Sequence, residues 1–321
     1  MRVPVSAKNF AAIAALVVAG ATLTASAALA QCGPPEEDVP AVRESLLVTT
    51  TWLAAHLRDP DLVLLNVEHM RGMQRPGDMI PGSRLVDAMD FTVGSFDLPA
   101  VPVLDSLVES LGISNRSRVV LYGDPWVTGW MFLVMDYLGL GERTAVLDGG
   151  LPQWRAENRP VAGAGLAPAR SSFTAHPRPE ILADAGWIRA HQRDAGVALL
   201  DVRTPDEYTG ASSGHGTARE GHIPGARLLE WNTMFERPAE VEAARGSRLL
   251  TPARIRALLR QSGVSPTDQP VVYCTVGMRA SQSYFVLRWL GYRPRFYDGS
   301  WSDWSRRSEL PIATGTARGN P

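Results

Sequence analysis

The same order of signals runs twice along this 321-residue chain. The first half offers Thr51-Trp52-Leu53, Leu64-Leu65-Asn66-Val67, Ile80-Pro81-Gly82-Ser83, Val119-Val120-Leu121-Tyr122, Asp148-Gly149-Gly150 and a closing Trp154. The second answers with Gly186-Trp187-Ile188, Leu199-Leu200-Asp201-Val202, Ile223-Pro224-Gly225-Ala226, Val271-Val272-Tyr273, Asp298-Gly299-Ser300 and Trp304. Such a duplication restricts the chain to two copies of one supersecondary plan. Within each copy, short Val- and Leu-rich runs alternate with amphipathic stretches such as residues 106–111 and 252–261. Continuous apolar strands separated by helical patterns predict an α/β fold with parallel sheets covered on both faces.

The length suits two ordinary domains, expected over residues 41–160 and 181–313. Residues 161–180, rich in Ala, Gly, Pro and Ser, read as a linker, and the tail beyond Pro311 as frayed. Residues 1–30 stand apart. Arg2 and Lys8 flank the start, Phe10 to Ala21 is apolar but short for a membrane span, and Ala28-Leu29-Ala30 offers a small-x-small cleavage site. That is the pattern of an export signal, with the mature chain starting at Gln31 in the periplasm or beyond and holding no membrane span after cleavage. Cys32 follows at once, yet Gln31 is a poor neighbour for a lipidated cysteine, and a disulfide to Cys274 would have to tie this leader into a domain interior. Formal net charge is −1 with no basic block, which gives nucleic-acid binding no footing. No group of Cys, His and carboxylates has metal-ligand spacing.

The halves part company at one position. Aligning Tyr122 with Tyr273 sets Gly123 opposite Cys274, so only the second half holds a nucleophile. Cys274 follows a strand and precedes a helical run from Ser281 to Trp289, across Thr275-Val276-Gly277-Met278-Arg279. Converging amide N–H groups and the helix dipole at such a place favour the thiolate, the reactive form of sulfur. Gly277 permits the tight curl that the loop requires.

These residues together resemble the tandem-domain rhodanese family of sulfurtransferases, of the thiosulfate and 3-mercaptopyruvate type. The likeness spans residues 41–313 and rests on Asp201-Val202-Arg203 with Glu207-Tyr208, Gly221-His222-Ile223-Pro224-Gly225-Ala226, Tyr273-Cys274 with Gly277 and Arg279, and Asp298-Gly299 with Trp304. It implies two α/β domains, each a five-stranded parallel sheet flanked by helices, with only the second catalytic and the site in the cleft between them. It implies no metal or organic cofactor, a small-molecule donor such as thiosulfate, an acceptor such as cyanide or a thiol, and a persulfide on Cys274. A monomer is expected. Backbone donors along Thr275, Val276, Gly277 and Met278 would hold the persulfide, and Arg279 would face the donor's sulfonate. Arg203 has two readings, a donor-anion binder in the cleft or a structural ion pair with Asp201 or Glu207. His222 is expected to fix its turn, and Trp154 and Trp304 to bury against their own sheets.

Within the family, mercaptopyruvate enzymes carry a serine in the loop and a first-domain histidine; Val276 takes the serine's place, and Asp78 is expected where that histidine falls. Related phosphatases place the arginine six residues after the cysteine, whereas Arg279 stands five after Cys274, a tighter pocket. A persulfide carrier without turnover is the non-enzymatic alternative.

Overall fold

In the first half, β1 (Leu47–Val48), β2 (Leu62–Glu68), β3 (Arg84–Asp87), β4 (Arg118–Gly123) and β5 (Thr144–Leu147) pair in the order β1-β5-β4-β2-β3. In the second, β6 (Leu182–Ala183), β7 (Val197–Asp201), β8 (Arg227–Leu228), β9 (Gln269–Tyr273) and β10 (Arg295–Tyr297) pair as β6-β10-β9-β7-β8. Every ladder is parallel. The first sheet is flanked by α1 (Thr50–His56), α2 (Val101–Ser110), α3 (Pro125–Tyr137) and α4 (Gly150–Ala156), the second by α5 (Ala185–His191), α6 (Pro205–Thr209), α7 (Pro252–Gln261), α8 (Met278–Trp289) and α9 (Ser300–Arg306). This computed structural model describes residues 39–69, 79–94, 96–163, 168–214, 217–236 and 246–319. The export-signal pattern, Cys32 and Asp78 lie outside them.

Strand alternation sorts the core. Val271 and Tyr273 point to an outer cluster with Trp301 and Trp304, while Val272 and Cys274 point to a central one. That central cluster is continuous through both sheets, because α3 and α8 lie back to back between them. The helices meet backbone to backbone: a Cβ at Gly129 would fall 2.5 Å from the Gln282 nitrogen. Close approach also explains why α8 buries Ser281, Gln282 and Ser283, small or polar residues that give no amphipathic stripe.

One carboxylate ties the two helices. Asp136 on α3, fully buried, accepts from Tyr284 Oη at 2.7 Å and Arg288 Nε at 2.7 Å on α8, and from Arg178 of the inter-sheet segment. Gly141 is required beside it, since a Cβ there would sit 2.1 Å from Asp136 Oδ1.

The duplication extends to details. Trp52 stacks on His56 with centroids 4.0 Å apart, and Trp187 on His191 at 4.3 Å. Trp154 Nε1 donates to the Pro160 carbonyl and Trp304 Nε1 to that of Pro311, each indole buried in its own outer cluster as expected. Met79 bridges to Ala162 just as His222 bridges to Ala313. Met79 thus occupies the place of His222 in the first half. One expectation is corrected: the tail is not frayed over its described part, because Ala313 exchanges backbone hydrogen bonds with His222 and Arg318 O accepts from Gly225 N.

Candidate active site

β9 ends at Tyr273, which pairs with Asp201 of β7, and the chain then leaves the sheet. The carbonyls of Cys274 and Thr275 accept from Trp301 N at 2.9 Å and Ser302 N at 3.0 Å, the free amides of the first turn of α9. Cys274 N approaches Ser300 Oγ at 3.3 Å, and that hydroxyl donates to Tyr297 O. Ser300 holds φ +50°, where its counterpart Gly150 has +53°. A side chain is kept in a conformation glycine favours because its hydroxyl fixes the loop.

The loop curls so that Gly277 N points at Cys274 Sγ from 3.2 Å. Gly277 has φ +96°, and a Cβ would lie 3.0 Å from the Phe296 ring, so glycine is required on two counts. α8 begins at the next residue and aims its free amides back at the loop. Cys274 is a free cysteine, 1% exposed. The site was expected in the cleft between the domains; here the loop folds the Cys274 side chain toward the central core and covers it. Val276 is half-buried, Met278 4% exposed and Thr275 5% exposed.

The first half cannot carry this chemistry. β4 continues in register through Gly123 against Val67. With φ +145°, a Cβ at Gly123 would meet Val67 O at 1.9 Å. No side chain fits where the second half holds sulfur.

Arg203 is the ion pair and not the anion binder. Its guanidinium, 1% exposed, donates to Asp201 through Nε at 2.9 Å and Nη2 at 2.6 Å, and to Gly221 O at 2.7 Å, lying over the Trp301 ring. The carboxylate two residues earlier on the same strand end captures it. His222 holds its turn as expected, with Nδ1 2.7 Å from Tyr208 O and its ring stacked on Tyr208.

Arg279 pairs with Glu207, Nη1 to Oε2 at 2.8 Å and Nη2 to Oε1 at 2.7 Å, and also reaches Thr275 Oγ1 at 2.6 Å. Glu207 further accepts from Thr275 Oγ1, Thr204 N and Thr204 Oγ1. Burial alone would push its carboxyl up. The Arg279 guanidinium and these donors outweigh burial and hold it at about 2. The sequence offered Glu207 as a possible partner of Arg203, whereas its partner is Arg279. The signal was present as a capping box, Thr204 to Glu207, at the start of α6. Ser300 was missed too, and its contrast with Gly150 was the clue.

The first half reaches the same end of the second sheet. Ser281 Oγ lies 3.3 Å from Trp126 O, and Leu98 N donates to Asp298 Oδ2 at 3.2 Å. In the mirror relation, Asp148 takes Leu249 N and Arg248 Nε. Burial, reinforced by the charge of Asp97 and opposed by the Leu98 amide, raises the Asp298 carboxyl from 3.8 to about 6. A raised carboxyl favours the fold below the unfolded value, and that contribution is lost as pH rises through about 6. Asp298→Asn keeps an acceptor for Leu98 and is expected to stabilise the protein by about 1–3 kcal/mol at pH 8. Urea titrations of both proteins at pH 4.5 and pH 8 test this, with a clearly smaller gain expected at the lower pH and an equal gain at both the contradicting result.

Comparisons with known proteins agree with this geometry. A sequence profile of the Rhodanese-like domain matches residues 184–307. The chain is 32% identical over 290 residues to the sulfur carrier protein TtuD of Thermus thermophilus, spanning 84% of this chain and 97% of the relative. Identity to the thiosulfate sulfurtransferase of Azotobacter vinelandii is 30% over 275 residues, 83% of this chain and 96% of the relative. A probable 3-mercaptopyruvate sulfurtransferase of Pseudomonas aeruginosa is 29% identical, with 84% and 98% covered. The crystal structure of YnjE shares the fold at a TM-score of 0.71 and 22% identity, over 84% of this chain and 68% of the other. Two five-stranded parallel sheets, one lone loop cysteine and these relatives lead to one conclusion: the chain belongs to the rhodanese family of sulfurtransferases.

Proposed function

We propose that the chain moves a sulfane sulfur from a donor of the thiosulfate type to cyanide or a thiol through a persulfide on Cys274. The Cys274 thiolate attacks the outer sulfur of the donor, the S–S bond breaks, and sulfite departs with the bonding pair. The persulfide anion then gives its terminal sulfur to the acceptor, which restores the thiolate. The observation that supports this most is the Gly277 amide directed at Sγ from 3.2 Å, in a loop that opens α8. Thr275, Val276, Gly277 and Met278 supply the enclosing backbone, and Arg279 braces it through Glu207.

A mercaptopyruvate donor fits less well, because Val276 and Asp78 stand where the keto-acid enzymes are expected to have a serine and a histidine. A carrier role is favoured by one finding, the 32% identical relative named as a sulfur carrier protein. Turnover separates the two. Initial rates with thiosulfate and cyanide varied together are expected to give parallel double-reciprocal lines, the pattern of a two-stage covalent route; intersecting lines contradict the persulfide route, and a single stoichiometric transfer marks a carrier. The same reading makes the protein an exported one, on the strength of the charged start, apolar run and Ala28-Leu29-Ala30 site.

A further inference from the structure

A cavity stands apart from Cys274, at the other end of the second sheet. β9 runs from Gln269 to Tyr273, so the catalytic loop follows its carboxyl end, while Gln269 lines a cleft of about 610 Å³ at its amino end. The cleft falls between the two halves. Arg43 and Glu142 of the first half line it together with Arg178 of the inter-sheet segment, Arg288 of α8 and the Arg293-Pro294-Arg295 entry to β10. Such a volume at an interface between domains is that of a small-molecule site.

Charge sets what the cleft can hold. Three of its arginines are balanced within the protein. Arg288 gives Nε to Asp136 at 2.7 Å and Nη2 to Glu142 at 2.9 Å, Arg178 reaches Asp136 and Glu180, and Arg43 reaches Glu142. Three carboxylates thus answer three guanidiniums. Arg293 and Arg295 are left over. Arg293 is exposed, and its side chain has no hydrogen bond or ion pair among the described residues. Arg295 gives Nη1 to Leu182 O at 2.9 Å and lies 4.6 Å from the centroid of the Trp187 ring, which holds it in place without neutralising it. Its Nε is buried with no partner. The carboxylate beside Gln269, Asp268, is taken by Arg227 and the Ser265 amide. Two positive charges therefore line one cavity with no carboxylate of the described residues paired to them.

We infer that this cleft is a second ligand site, separate from the Cys274 loop, for a small organic phosphate monoester. That group carries close to two negative charges at neutral pH, which matches the two left uncompensated. Planar guanidiniums meet its oxygens bidentately, and two arginines separated by one residue suit two charges on one group. The volume exceeds what a bare inorganic anion fills, so the occupant brings a body as well as its charge. Binding here is noncovalent and stands whether or not the persulfide reading does.

Isothermal titration of the full chain with glucose 6-phosphate tests this, at fixed ionic strength and with glucose as the uncharged arm. The wild type is expected to bind the phosphate and not glucose. Arg293→Gln removes a side chain without internal hydrogen bonds, so the fold is expected to hold while affinity falls about tenfold, the loss of one charge-assisted bond. Arg293→Lys keeps the charge and is expected to recover part of that loss. Cys274→Ser is expected to bind as the wild type does, which places the anion away from the loop. No binding by the wild type, glucose bound as tightly, equal affinity in Arg293→Gln, or loss of binding in Cys274→Ser overturns the inference.

Discussion

Cys274→Ser is expected to abolish sulfite release from thiosulfate, a fall of at least about three orders of magnitude. The substitution is nearly isosteric. It leaves the Trp301 and Ser302 amides on the loop carbonyls and lets Gly277 N bond to a hydroxyl in place of sulfur. The fold should persist, so the loss reports chemistry. Serine fails because its hydroxyl stays protonated at neutral pH, and the group that reaches the sulfur is an amide donor, Gly277 N, which cannot act as a general base. No second nucleophile takes over, since the equivalent place in the first half has no room for a side chain. Sulfite assay with intact circular dichroism checks this, and retained turnover would mean that sulfur passes elsewhere.

The second large effect is on stability. Asp136→Ala is expected to cost about 3–5 kcal/mol, because it leaves Arg288 and Tyr284 buried without their carboxylate. Burial works against the Arg288 charge and Asp136 outweighs it, raising that guanidinium; burial first and then Asp136 raise the Tyr284 hydroxyl well above its usual range. Adding Arg288→Met is expected to recover part of the loss, since an apolar side chain needs no partner. The damage falls where α3 meets α8, and α8 opens at the catalytic loop. Guanidinium denaturation of the single and double variants reads the effect. A loss below about 1 kcal/mol in the single variant would mean the cluster is solvated in solution.

The parts of this architecture that follow from local pattern were legible in the sequence. Continuous apolar strands such as Val119-Val120-Leu121-Tyr122 and Val271-Val272-Tyr273 announce buried parallel ladders, and the repeated landmarks announce two of them. Cys274 was legible for the same reason, because strand, thiol, glycine and helix follow one another. Contacts between distant residues were not. Arg279 meets Glu207 from 72 positions away and Arg288 meets Asp136 from 152, and no spacing rule joins such pairs. Arg203 shows how two readings stay open until burial is known: the same strand-end arginine serves a cleft or an interior depending on whether Asp201 turns toward it. The buried polar face of α8 left only a partial helical signal, so the run was read from Ser281 while the helix starts at Met278.

The account turns on a sulfur atom resting on one thiol. Purified protein incubated with thiosulfate, then digested and weighed, tests it most directly, with mercaptopyruvate as the parallel arm. The peptide that contains Cys274 is expected to gain the mass of one sulfur from thiosulfate and to lose it on addition of cyanide. An unmodified Cys274 peptide, or sulfur found only on another residue, would contradict the account.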